Sequence, residues 1–453
     1  MRSVSATKQL VNQLFLAVLL LCGMAANAQE NSPYSRYGWG NLVPSTPIAT
    51  RGMGGIGAGY VDFDPRYNFK NVYPRSQTVN FLNPASYSRL KITSFDLGFE
   101  VENQVLREQN NPEKYKASYV NFSYLQLGIP ISRKHNFAMV MGLRPISRVN
   151  YKILSNRLED NPGTGNPIDS SLTTYEGTGG SYQAYAGLGK AFGKFSIGAN
   201  VGYFFGTKDF STRKELVNDS IIYNKLNNQT KISFGGFFLN GGAQYAADLG
   251  NSLRLVLGAT ATLKHDYNAS TDFIIQTFQY DGSGGIIGVD SVYAEENVKG
   301  KISFPASYSG GFTLEKQDKW MIGADYVTTS WDDFAIYGRG DTVASNWKVK
   351  FGAQLIPNAF GTNYWGRVTY RVGFNFGPDY IKYKNQELNQ YNITAGFGFP
   401  VRPNRFSNQY TNLNLSLEYG RRGSASTQLQ ENVFRLALGF TLSDLWFVKR
   451  RYD

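Results

Sequence analysis

The sequence predicts an all-β protein, a 14-stranded antiparallel transmembrane β-barrel with an N-terminal plug inside its lumen. Three observations carry this. Beyond residue 91 the chain divides into long segments in which apolar residues alternate with small or polar ones, the period of two that marks a strand with unlike faces. The connections between these segments alternate between long and short. Ahead of them runs Arg51 to Leu90, opening on Gly52-Met53-Gly54-Gly55-Ile56-Gly57-Ala58-Gly59, a composition suited to backbone packed tightly against other backbone.

The chain starts with an expected export signal, residues 1–28. Arg2 and Lys8 give a positive start, Leu14 to Leu21 form an apolar run too short to span a bilayer as a helix, and Ala26-Asn27-Ala28 make a small-residue cleavage site. Cys22, the single cysteine, falls inside that segment, so the mature chain is expected to have no disulfide and no thiol chemistry. Residues 29–90 are assigned to a flexible periplasmic start, up to about Tyr37, and to the luminal plug. Gly52, Gly54 and Gly57 satisfy the dinucleotide pattern G-x-G-x-x-G. That motif works only between a strand and a helix, and no apolar strand precedes it here, while Pro65 would stop a helix following it.

Fourteen strand segments are expected near 92–101, 118–129, 137–152, 180–191, 195–207, 231–247, 252–265, 302–315, 319–329, 346–356, 364–376, 391–400, 410–420 and 432–442. The last is the clearest: Phe434, Leu436, Leu438, Phe440 and Leu442 alternate with Arg435, Ala437, Gly439 and Thr441. A soluble sandwich is the alternative, but its strands usually hold five or six residues, whereas ten or so are needed to cross a membrane at a tilt. Long polar connections are expected at 102–117, 153–179, 208–230, 266–301, 330–345, 377–390 and 421–431, and short turns at 130–136, 192–194, 248–251 and 316–318. Long loops outside and short turns in the periplasm are the habit of outer-membrane barrels, and an even strand count returns both termini to the periplasm. The barrel is thus assigned to 91–448 and a periplasmic tail to 449–453. Trp446 and Phe447 stand where an interfacial aromatic belt is expected.

Composition agrees. Aromatic residues make up 15% of the chain, with 30 Tyr, 31 Phe and 48 Gly, and no later apolar run is long enough for a membrane helix. The net charge of +12 would suit a nucleic-acid partner, which the export signal excludes.

These features resemble the FadL-type outer-membrane transporters of long-chain fatty acids and other hydrophobic compounds. The resemblance rests on the Gly-rich opening, on Asn83-Pro84-Ala85 ahead of the first strand and on the fourteen strands. Phe304-Pro305-Ala306-Ser307-Tyr308 and Trp331 are later landmarks. It implies a hatch inside the barrel, formed around Gly52, Gly54, Gly55 and Gly57 and fixed by Asn83, Pro84 and Ala85. Asn31 to Gly38 is similar to a branch of the family common in Bacteroidetes-type bacteria. The chain departs from the pattern in an extra aromatic and basic stretch, Arg66 to Gln77, and in ending on Tyr452-Asp453.

Moving an apolar solute into water costs about 0.8 kcal/mol per CH₂, so an internal greasy path with lateral release into the membrane is the expected route. Pro145, midway along the third segment, removes a ladder donor. It marks either a wall kink forming a lateral exit or a strand that ends at Arg144. On the lumen face stand Arg254, Lys264, Lys348, Lys350, Arg367, Arg371 and Arg435, against Glu418 alone. They are candidate contacts for an anionic head group, or else partners of Asp62 and Asp64 in the plug. No enzyme is expected, because His135 lies in a short turn and the adjacent pair His265-Asp266 points to opposite faces of a strand. No metal or cofactor is expected. The partners expected are outer-membrane lipid, a hydrophobic small molecule and the barrel-assembly machinery during insertion. The rival reading is an outer-membrane scaffold or shuttle for secreted proteins, of the type IX secretion kind, using the long outer loops. A structural barrel with no open path is the third.

Overall fold

The computed structural model describes residues 32–63, 76–108, 114–160, 167–217, 224–283, 285–383, 386–401, 409–423, 429–444 and 446. The expected signal segment, Asp64, most of Arg66 to Gln77, Phe447 and the expected tail lie outside the described residues.

The first six wall strands are β1 (Thr93–Glu108), β2 (Lys114–Ser132), β3 (Phe137–Asp160), β4 (Pro167–Phe192), β5 (Phe195–Val217) and β6 (Lys225–Gly250). Next come β7 (Leu253–Thr262), β8 (His265–Tyr280), β9 (Ile286–Phe304), β10 (Ser307–Lys316) and β11 (Trp320–Thr329). The chain closes with β12 (Asn346–Leu355), β13 (Thr369–Tyr383), β14 (Gln386–Val401), β15 (Tyr410–Arg422) and β16 (Leu429–Asp444). The ring runs β1 to β7, then β10 to β16, and closes where β16 pairs antiparallel with β1 from Leu429↔Glu108 to Asp444↔Thr93. That is a closed wall of fourteen strands. β8 and β9 prolong β7 and β10 into a hairpin beyond it, β8 pairing with the far end of β6.

Along β1, Asp96, Glu100, Glu102 and Gln104 are buried, while Phe95 and Phe99 are 38% and 41% exposed. This inverts a soluble protein. Polar side chains face the interior and apolar ones face outward, the pattern that lipid imposes. A sandwich would bury Phe95 and expose Glu100.

All fourteen expected segments occur, but several run much further. The connections expected at 153–179 and 208–230 are largely strand, and 266–301 is the β8–β9 hairpin. Beyond the membrane both faces of a strand meet polar surroundings, so the ladder continues after the apolar alternation has stopped. Arg367 was expected on a strand starting at 364. It instead ends a short helix, Tyr364–Arg367, and the strand begins at Thr369.

Residues 32–43 do not form a flexible start. Tyr34 and Trp39 are 2% and 0% exposed, and residues 32–43 sit at the end of the barrel opposite the short turns. A single helical turn, α1 (Ile48–Arg51), follows, and a 3-10 turn, Pro84–Arg89, leads into β1. Trp39 lies edge-on to Phe204 and Phe234, and Trp331 stacks near Tyr380 at 4.2 Å. Burying such rings supplies apolar contact within the otherwise polar lumen. At Gly54 the backbone is left-handed (φ +68°), and a Cβ there would come within 2.5 Å of the Phe351 carbonyl oxygen. Only glycine suits both conditions.

Candidate functional site: the lumen and the β2–β3 seam

The N-terminal segment is tied to side chains around the wall. Arg51, the last residue of α1, is 3% exposed and donates through Nε to Glu418 (2.6 Å) and through Nη1 to Glu100 (2.7 Å). Across the lumen, the Gly57 and Ala58 amides both donate to one carboxylate oxygen of Asp325, at 2.6 and 2.8 Å. The Gly54 amide donates to Thr394 Oγ1, and Lys350 Nζ donates to the Gly55 carbonyl. Asn83 accepts the Ala85 amide as a helix cap and donates Nδ2 to the Ala58 carbonyl at 2.7 Å, with longer contacts to Ala243 and Ala259 on β6 and β7. Buried backbone groups without such partners would each cost about 1–3 kcal/mol, so these bonds fix the path of the segment.

The expected basic residues do not share one site. Arg435 forms a two-pronged pair with Glu102 (2.7 and 3.2 Å), and Arg371 donates to Gln354 and Asn414. Lys348 donates to Gln390 at 2.7 Å. Arg254 lies near the short-turn end, pairs with Asp248 and Glu315 and covers the Phe63 ring at 4.1 Å. Lys264 is outside the lumen proper, half exposed and paired with Asp333. Arg367 is off the luminal face altogether, in the 364–367 turn over Tyr364.

Among the described residues, acids on the wall pair with this charge. Asp62, expected to pair with the basic wall, accepts the Thr78 amide within its own segment. Among the described residues, the buried acids on the wall besides Glu418 are Asp96, Glu100, Glu102, Asp325, Asp379 and Glu431, with Arg422 paired to the last two. Sequence reasoning counted only Glu418, yet a signal was present. Asp96, Glu100 and Glu102 are spaced by even numbers on one strand, opposite in phase to Phe95, Phe99 and Val101.

Between the N-terminal segment and the wall lies a cavity of about 350 Å³. Its lining is mixed rather than greasy: Lys348, Asn375 and Gln390 face it along with Leu82, Phe238 and Phe304.

At Pro145 the wall itself changes. β3 does not end at Arg144 but continues to Asp160. Its ladder with β2 nevertheless stops at Leu125↔Leu143, and its register with β4 shifts between Pro145 and Ser147. Proline has no amide hydrogen to give, so the ladder loses a donor at this point. Above it β2 pairs with β1 alone, from Tyr124 to Lys114. The freed edge of β3 is taken from inside by the N-terminal segment, with Asn41↔Arg148 and Leu42↔Ser147 in register and the Val43 and Ser32 amides donating to Ile146 and Asn150. A second cavity, about 230 Å³, occupies this seam and is lined by Asn121, Phe122, Arg148, Asn150 and Tyr182. Pro145 borders both cavities.

The two histidines sit apart from this site. His135 Nδ1 lies 2.9 Å from Ser132 Oγ in an exposed turn, and Asp266 accepts from Ser303 rather than from His265.

A closed wall of fourteen strands, apolar on its outer face and polar within, has the pattern of an outer-membrane β-barrel and the FadL-type fold. The chain belongs to the BamG family, whose model matches residues 10–453. Among solved structures, a Pseudomonas aeruginosa FadL homologue is similar at 13% identity and a TM-score of 0.53, covering 90% of this chain and 98% of that one. A mutant of TodX, described as a monoaromatic hydrocarbon channel, is similar at 15% identity and a TM-score of 0.50, over 89% and 99% of the two chains. The P. putida toluene transporter TodX itself gives 14% and 0.49, over 90% and 100%. No curated protein matches the sequence.

Proposed function

We propose that this protein carries hydrophobic or amphiphilic small molecules, long-chain fatty acids or similar, across the outer membrane and releases them sideways into it. The N-terminal segment acts as the hatch. The observation that carries this reading is the interrupted β2–β3 ladder at Pro145, the residue that borders both the luminal and the seam cavity. An apolar solute leaving through the seam never has to enter water, which would cost about 0.8 kcal/mol per CH₂. The mixed lining suits an amphiphile, with Phe238 and Phe304 against its chain and Lys348 near a carboxylate head. The descriptions of the similar structures support transport of hydrophobic compounds. Uptake of labelled oleate and toluene by cells lacking the protein tests it. A loss restored by the intact gene is expected, and unchanged uptake of both sinks the reading.

A second reading has its own support. Membership of the BamG family suggests a barrel-assembly context, and β9 displays exposed Ile287, Val289, Val292 and Tyr293 on a surface a protein can bind. A barrel-assembly subunit copurifying in stoichiometric amount favours it. A secreted protein copurifying instead favours the secretion scaffold.

A further inference from the structure

Glu100 is placed between two parts of the molecule that the proposed function treats separately. Its side chain is 0% exposed, and each of its oxygens serves a different guanidinium. Oε2 accepts from Arg51 of the N-terminal segment at 2.7 Å, and Oε1 accepts from Arg148 of β3 at 2.8 Å. Arg148 also donates Nη2 to the Phe122 carbonyl of β2 at 3.1 Å, which makes it a side-chain bridge across the seam where the ladder is missing.

We infer that Arg51, Glu100 and Arg148 form a relay by which the N-terminal segment holds the seam shut. The mechanism is one of valence. A carboxylate with one oxygen occupied by Arg51 offers a single oxygen to Arg148, which leaves Nη2 for Phe122. When Arg51 withdraws, the second oxygen loses its guanidinium donor. The two-pronged carboxylate–guanidinium pair is then the stronger arrangement, so Arg148 turns both nitrogens to Glu100 and releases β2. The same withdrawal strips residues 41–43 from the free edge of β3, since they precede Arg51 by only a few residues on one segment. Hatch movement and lateral opening are then one event. This rests on the seam being the exit only for its biological meaning; the coupling is a property of the fold.

Spin labels on K116C of β2 and N156C of β3, both exposed positions on the two sides of the seam, read its width in the full chain in lipid. The relay predicts that R51Q broadens and lengthens the distance distribution as R148Q does. D325N, which loosens the segment on the far wall, leaves it narrow. If R148Q opens the seam and R51Q does not, or if neither does, the relay is wrong. R51K serves if R51Q fails to assemble, because an ammonium cannot reach both Glu100 and Glu418 with the same geometry. A seam that widens in R51Q while oleate and toluene uptake never depended on the protein would refute transport and leave the relay standing.

Discussion

Leu125 and Leu143 form the last rung between β2 and β3, and one turn of the pleat beyond them the two strands part. Pro145 is two residues past that rung. The separation is not a frayed end, because β3 goes on to pair with β4 as far as Asp160. The ladder is therefore continuous on one side of β3 and interrupted on the other.

Arg51 is the segment's principal charged anchor. Arg51→Ala leaves Glu100 and Glu418 buried with one cation fewer each, the situation that costs about 3–5 kcal/mol when a buried pair is broken. Urea unfolding in lipid bilayers is expected to show a loss of that size, shared between the segment and the wall.

Asn83→Ala removes the donor to the Ala58 carbonyl and the acceptor of the Ala85 amide, about 1–3 kcal/mol of local anchoring. The expected result is a looser segment with higher ion conductance in planar bilayers, on a barrel that still assembles. Wild-type conductance together with wild-type uptake removes Asn83 from any hatch role.

Phe312 of β10 faces outward and is 41% exposed, while its neighbour Thr313 is buried and donates to the Gly59 carbonyl. Phe312→Arg is expected to cost about 2–4 kcal/mol in a membrane, the depth-dependent penalty for a lipid-facing charge. A neutral effect on unfolding in bilayers would mean that this face does not meet lipid.

The fold was legible because lipid and lumen impose opposite demands on alternate residues, and Leu413, Leu415 and Leu417 on β15 show that alternation without interruption. Where the demand lapses, so does the signal. Residues 208–217 extend their strand with no apolar face to announce it. Arg367 fitted the period by accident, two residues before the strand began. At the site, Pro145 was conspicuous in the sequence, but the partner that left it, β2, was not, because loss of a ladder is a relation between strands. Glu100 and Arg148 lie 48 residues apart, and nothing in either one's neighbourhood names the other.

The measurement that bears most directly on lateral release is uptake through a seam closed by a covalent bridge. Cysteines at Asn121 and Asn150, both lining the seam cavity, are joined by a short bismaleimide in cells where the protein supports oleate uptake. The account predicts that uptake falls to the level of cells lacking the protein and that the singly substituted, reagent-treated controls keep theirs. Undiminished uptake through the bridged barrel would contradict it.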